Sequence, residues 1–193
     1  MRSLKGQLLI AAPGLADPNF RRTVVFVAEH NAEGAFGLVL NRPAEARVSE
    51  LWNAISNEAC DCHLRAYVGG PVQQNAVLLL HGFPDLAKDA DPVIPGVYLG
   101  SEVEVLGELV RRHSGEEPLA TEEFPKFRVF CGYSGWGAGQ LDAEMKAGGW
   151  LTQPASFDVV FRTPPERLWN LALEAIGGVY RFFALMPQEP EHN

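Results

Sequence analysis

The apolar positions at the start of this chain fall into three short runs, Gln7 to Ala12, Thr23 to Glu29 and Ala35 to Leu40. The second run holds Thr23, Val24, Val25, Phe26 and Val27, a β-branched and aromatic stretch that suits a buried, pleated strand. Turn formers separate the runs: Pro13-Gly14, then Asp17-Pro18-Asn19. His30 to Gly34 fits a hairpin loop with glycine at its end. The pattern predicts strand, long loop, strand, tight loop, strand, with Arg42 and Pro43 closing the third.

The period then changes. Val48, Leu51, Trp52 and Ile55 lie at i, i+3, i+4 and i+7, which predicts a helix over Val48 to Ser56. Asn57 to Arg65 reads as a polar connection, Ala66 to Val68 as a short strand stopped by Gly69-Gly70-Pro71, and Ala76 to His81 as a central strand. After an Asp- and Pro-rich loop, Pro84 to Pro95, a brief strand is expected at Val97 to Leu99. A helix follows from Glu102 to His113, with Ser101 able to cap it. Gly115 to Pro125 reads as a loop and Lys126 to Cys131 as a strand. Gly132 to Gly139 reads as a glycine-rich loop and Gln140 to Ala147 as a helix ended by Gly148-Gly149. A last strand is expected at Phe157 to Phe161, and a helix from Glu166 to about Ile176 with Pro165 in its first turn. This order is no regular βαβ alternation and predicts an α+β fold with a mixed sheet.

The segments DPNFRRTVVFVAEH, GAFGLVLNRP, YVGGPV, LLLHG and GYSGWGAGQLDAEM together resemble the bacterial AlgH/YqgE family, also called UPF0301. They span most of the chain. The resemblance implies a largely antiparallel sheet, curled into a partial barrel with flanking helices. It also implies a link to regulation, since some members are described as regulators of exopolysaccharide production. We expect one domain over residues 1–186 and a flexible polar tail at 187–193.

Charge narrows the function classes. The formal net charge of −8 disfavours direct nucleic-acid binding, which needs clustered Lys and Arg, and no helix-turn-helix is recognisable. No apolar run is long enough to span a bilayer and no basic-then-apolar leader is visible, so a cytoplasmic protein without a membrane partner is expected. Three cysteines suit a reduced compartment. Cys60, Cys62 and His63 are three soft ligands without an evident fourth, so no metal and no other cofactor is assigned.

Candidate chemistry gathers at the ends of elements. Gly135, Gly137 and Gly139, in a strand–loop–helix context, could present backbone N–H groups to an anion, or could serve tight turns and close packing with Trp136 in the core. Ser134 lacks the GxSxG elbow, because Trp136 stands where the second glycine belongs. His30 and His81 end apolar strands; Asp17, Asn19 and Arg22 flank the second strand; Asn41 and Arg42 end the third. Gln140 and Glu144 are i and i+4 on one helix face. These residues could line one cleft for a small ligand, or could satisfy one another in an internal network. Two functional readings result: a non-catalytic regulatory or adaptor module binding a protein or small ligand, acting indirectly on gene expression, and an enzyme acting on a small anionic substrate at the glycine loop and the strand-end cluster.

Overall fold

The computed structural model describes residues 3–88, 90–114 and 124–186. The expected loop at Gly115 to Pro125 and the expected tail at 187–193 fall largely or wholly outside them. The chain forms a mixed α+β structure built on nine strands. These are β1 (Gln7–Ala11), β2 (Val24–Asn31), β3 (Gly34–Val39), β4 (Pro43–Arg47), β5 (Arg65–Val68), β6 (Val72–His81), β7 (Tyr98–Gly100), β8 (Phe127–Gly137) and β9 (Trp150–Pro154). The helices are α1 (Val48–Ser56), α2 (Val103–Arg112), α3 (Gln140–Lys146), α4 (Phe157–Phe161), α5 (Pro165–Ile176) and α6 (Tyr180–Ala184).

The strand order is β4-β5-β8-β3-β2-β1-β9, with β6 and β7 branching from β8. All the pairings are antiparallel except β5 with β8. The sheet stays open, with β4 and β9 at the ends of its path, so the expected curl stops short of a barrel.

β8 joins the two halves. Its first part, Phe127 to Cys131, pairs with β6 and β5; its second part, Ser134 to Gly137, pairs with β3. The change of partner occurs at Gly132, whose φ is +71°. A Cβ there would stand 2.8 Å from the Val72 carbonyl oxygen and 2.9 Å from that of Gly70. A Cβ on Gly69 would meet the Gly132 carbonyl oxygen at 2.2 Å. Backbone crosses backbone here, and only glycine leaves room for it.

This overturns the expected glycine loop. Gly132 to Gly137 is strand, with Ser134 and Trp136 buried and Gly135 and Gly137 exposed, the period of two that a half-buried strand shows. Phe157 to Phe161 is likewise a helix and not a strand: the Ser156 hydroxyl accepts from the Val159 N–H at 3.3 Å, and Asp158 sits in the first turn. The capping expected of Ser101 falls instead at Glu102, with no side-chain cap bond. β4 and β9 form where no strand was expected, held by pairing with β5 and β1.

The core lies on both faces of β1, β2 and β3. Leu8, Ile10, Val24, Phe26, Leu38 and Leu40 face α4 and α5, which contribute Val160, Phe161, Leu168, Trp169 and Leu173. Leu9, Ala11, Val25, Val27 and Val39 face the other way, onto Trp136, Leu141 and Trp150. β2 is therefore apolar at consecutive positions because both of its faces are covered, and each fully buried Val, Leu or Phe is worth about 1.5–3 kcal/mol. A third cluster packs α1 and α2 against β6 and β8 through Val48, Leu79, Leu106, Leu109 and Val129, and buries Cys62.

A clamped carboxylate in an aromatic cleft

The second core cluster opens to solvent at one end. The connection between β1 and β2 arches over it, and α3 closes the far side. Within that connection the Asp17 carboxylate accepts from the Asn19 N–H at 2.8 Å, and the Asp17 carbonyl accepts from the N–H groups of Phe20 and Arg21. This turn delivers the Phe20 ring to two indoles: its centroid lies 5.9 Å from Trp136, stacked, and 5.4 Å from Trp150, edge-on. Trp136 arrives from β8 and Trp150 from β9, and their rings meet at 6.1 Å.

Glu144 of α3 binds this group together. Its Oε2 accepts from Trp136 Nε1 at 3.0 Å and from Trp150 Nε1 at 2.8 Å. Its Oε1 accepts from Gln140 Nε2 at 3.0 Å, one helical turn earlier. Gln140 in turn accepts from the Gly137 N–H at 3.1 Å through Oε1, which secures the strand-to-helix turn. Between the arch and the helix lies a cleft of about 590 Å³, lined by Asp17, Phe20, Trp136, Gln140, Glu144 and Trp150 together with small residues such as Gly14, Ala16 and Gly148.

The residues singled out in the sequence thus divide among several places. Asp17, Gly135, Gln140 and Glu144 line this cleft. Asn19 and Arg42 lie on the opposite side of the arch, in a small crevice of about 80 Å³ shared with Gly70 and Gln74. Arg42 Nη2 donates to the Pro18 carbonyl at 3.0 Å and more weakly to that of Arg21 at 3.5 Å, so it holds the arch from behind. Burial lowers its pKa from the ordinary arginine value, and the nearby charge of Asp17 opposes that shift. Asn41 is a staple: its Oδ1 accepts from the Val24 N–H at 2.8 Å and its Nδ2 donates to the Arg22 carbonyl at 2.9 Å. Arg22, in a left-handed conformation at φ +55°, places its guanidinium 5.0 Å from the centre of the Trp169 ring.

The two histidines join neither the cleft nor each other. His30 Nδ1 accepts from the Leu4 N–H at 3.0 Å, which leaves its Nε2 toward Asp142 Oδ2 at 4.0 Å. His81 is buried, stacks on Tyr98 at 5.6 Å, and accepts from the Phe83 N–H at 3.4 Å through Nδ1. Desolvation lowers its pKa below 6.5, against the opposing pull of Asp85 and Glu102. Ser134 is fully buried and donates its hydroxyl to the Gly69 carbonyl at 3.1 Å, so no substrate reaches it as a nucleophile. Among the described residues no group of three or more His, Cys, Asp or Glu is placed to hold a metal ion.

Sequence reasoning passed over Phe20 and Trp150, and placed Trp136 only in the core. Their signal was present in composition: of the four tryptophans, two flank the helix that carries Glu144. Among the described residues no helix is long and apolar enough to cross a membrane.

The comparisons with known proteins agree with this architecture. The AlgH-like family model (DUF179) matches residues 8–181, and the chain belongs to that family. It is 38% identical over 188 residues to a UPF0301 protein of Chlorobaculum tepidum, covering 97% of this chain and 95% of the relative. It is 34% identical over 187 residues to one of Chlamydia caviae, covering 95% and 92%. The solution structure of the AlgH protein from Pseudomonas aeruginosa superposes with a TM-score of 0.74 at 32% identity, covering 97% of this chain and 96% of that one. A crystal structure from Corynebacterium diphtheriae, at 21% identity and a TM-score of 0.71, shares the fold.

Proposed function

We propose that this protein is a non-catalytic regulatory module that binds a small ligand in the cleft between the β1–β2 arch and α3. The observation that carries this reading is the state of Glu144. General acid–base work favours a carboxylate that can turn toward a substrate proton, whereas here three N–H donors hold Glu144 in place, two on Oε2 and one on Oε1. Among the described residues no serine, cysteine or histidine lines the cleft beside it. A volume of about 590 Å³ lies in the range of small-molecule sites. The arch that roofs the cleft carries both Asp17 and Phe20 on the lining and meets the Arg42 guanidinium through the Pro18 carbonyl, so ligand contact with Phe20 or Asp17 would be felt at the surface. That gives a route from ligand to a protein partner, and an indirect effect on gene expression. The net charge of −8 favours such an indirect role over contact with DNA.

A thermal-shift screen of a metabolite library on wild type and Gly14→Phe tests this. Gly14 lines the cleft and a Cβ there meets nothing within 4 Å, so a side chain can start from this position without a clash at its first atom. Compounds that raise the melting temperature of wild type and leave Gly14→Phe unmoved are the expected result. Chemical conversion of such a compound by wild type, followed by mass spectrometry, would replace the binding reading with an enzymatic one.

A further inference from the structure

Within that binding reading, we infer that the cleft selects an organic cation: an ammonium head carried on an apolar or aromatic body. Among the described residues the lining contains two carboxylates, Asp17 and Glu144, and no lysine, arginine or histidine. Arg42 offsets part of the Asp17 charge from the far side of the arch, but its guanidinium is turned to the carbonyls of Pro18 and Arg21. Glu144 has no such counter-charge: its three partners are two neutral indoles and an amide. Its negative charge is held in place and left uncompensated by any cation on the lining.

The side-chain donor groups on the described lining, two indoles and the Gln140 amide, are already engaged with Glu144, which weakens the cleft as a site for anions. Both indole N–H groups and the Gln140 amide point at Glu144. The backbone N–H groups of Leu15, Gly148 and Gly149 go to the carbonyls of Ala12, Met145 and Glu144. A phosphate or carboxylate entering here would shed water and meet carboxylates in place of donors. This disfavours the small anionic ligand expected from the sequence.

What remains on offer is π surface and negative charge. Phe20, Trp136 and Trp150 line the cleft as one aromatic cluster, in which both indoles are buried and the half-buried Phe20 ring is the aromatic surface nearest solvent. The small residues at Gly14, Ala16, Ala147 and Gly148 leave room on the lining for an apolar body. Together these are the elements of an aromatic cation site with a fixed counter-charge.

Three probes with one phenyl body and different heads test the inference on the full chain: phenethylammonium, 2-phenylethanol and phenylacetate. The readout is the set of four indole N–H signals in a ¹H–¹⁵N spectrum, which separates Trp136 and Trp150 from Trp52 and Trp169. Phenethylammonium at millimolar concentration should move the Trp136 and Trp150 signals saturably and leave those of Trp52 and Trp169 still. It should bind about tenfold more tightly than the alcohol, with phenylacetate weakest. Glu144→Gln retains an acceptor for both indoles and removes the charge, and should bring the amine down to the affinity of the alcohol. Asp17→Asn keeps the turn to Asn19 and should cost the amine less. Equal affinity for amine and alcohol, or tighter binding of phenylacetate, overturns the cation preference and leaves the binding cleft standing. No movement of Trp136 or Trp150 with any probe also overturns the cation inference; the binding reading then stands or falls separately on the library hits lost in Gly14→Phe.

Discussion

Two charged side chains in this protein are held by neutral partners, and they are held for opposite ends. Arg128, on the half of β8 that faces the β6 side of the sheet, is buried. Its Nη1 donates to the Leu40 carbonyl at 2.8 Å, its Nη2 to the Thr163 carbonyl at 3.1 Å, and its guanidinium lies 4.8 Å from the centre of the Tyr67 ring. Burial lowers its pKa from the ordinary arginine value. Glu144 is only half buried, and its acceptors face donors from two tryptophans and a glutamine at the edge of a cleft. The guanidinium is sealed and ties the end of β3 to the turn after α4. The carboxylate is fixed equally well but remains beside open space, where its charge is available to a ligand. Exposure of the charge, and not the number of its hydrogen bonds, separates architecture from site.

Removing Arg128 should have the largest effect. Arg128→Ala leaves two carbonyls without donors in a place water does not reach and opens a cavity under Tyr67, for a loss of about 3 kcal/mol in urea unfolding. A loss below about 1 kcal/mol would mean that water reaches those carbonyls and that the contrast with Glu144 fails. Glu144→Ala should cost less, about 1–2 kcal/mol, because its orphaned indole N–H groups face a cleft that admits water. Glu144→Gln should cost under about 1 kcal/mol, since the amide oxygen can still accept from both indoles. Equal losses for the two variants would show that charge, and not acceptor geometry, holds Trp136 and Trp150 together.

The smallest effect extends the comparison to a sealed group that titrates. The pKa of His81 is lowered by burial relative to the unfolded chain, where it lies near 6.5. Between those two values the unfolded state binds more protons, so stability falls as pH drops below about 6.5 toward the folded value, and the contribution is intact at higher pH. His81→Phe preserves an aromatic ring against Tyr98 and should show a shallower loss of melting temperature from about pH 7 to about pH 5.5 than wild type. An unchanged slope would show that protons reach His81 in the folded protein without cost.

Much of the fold was legible in the sequence, and the parts that were not share a cause. The runs at Gln7, Thr23 and Ala35 became β1, β2 and β3 because continuous β-branched stretches need cover on both faces, and the chain supplies it. α1 follows from its periodicity, α2 from the charge signals at its ends, and α5 from the proline in its first turn. Phe157 to Phe161 misled because four apolar residues in a stretch of five are too few to show a period, and the decision fell to the Ser156 cap. Gly132 to Gly137 misled because glycine reads as loop until a crossing strand supplies the reason for it, here the Gly69-Gly70 backbone.

The candidate site divides in the same way. The Gln140–Glu144 contact was visible beforehand because residues four apart on a helix must be neighbours, whatever surrounds them. The arrival of Trp136 and Trp150 at the same carboxylate oxygen was not, because it depends on β8 pairing with β3 and β9 pairing with β1. The separation of Arg42 from Glu144 by the β1–β2 arch was equally hidden, and it decides the sign of the charge the cleft presents. By itself the sequence determined the first three strands, the main helices and the contacts within a helical turn, since these depend on spacing along one chain segment. The tertiary structure alone decided which side chains share a cavity, because strand pairing brings together residues that no local spacing connects.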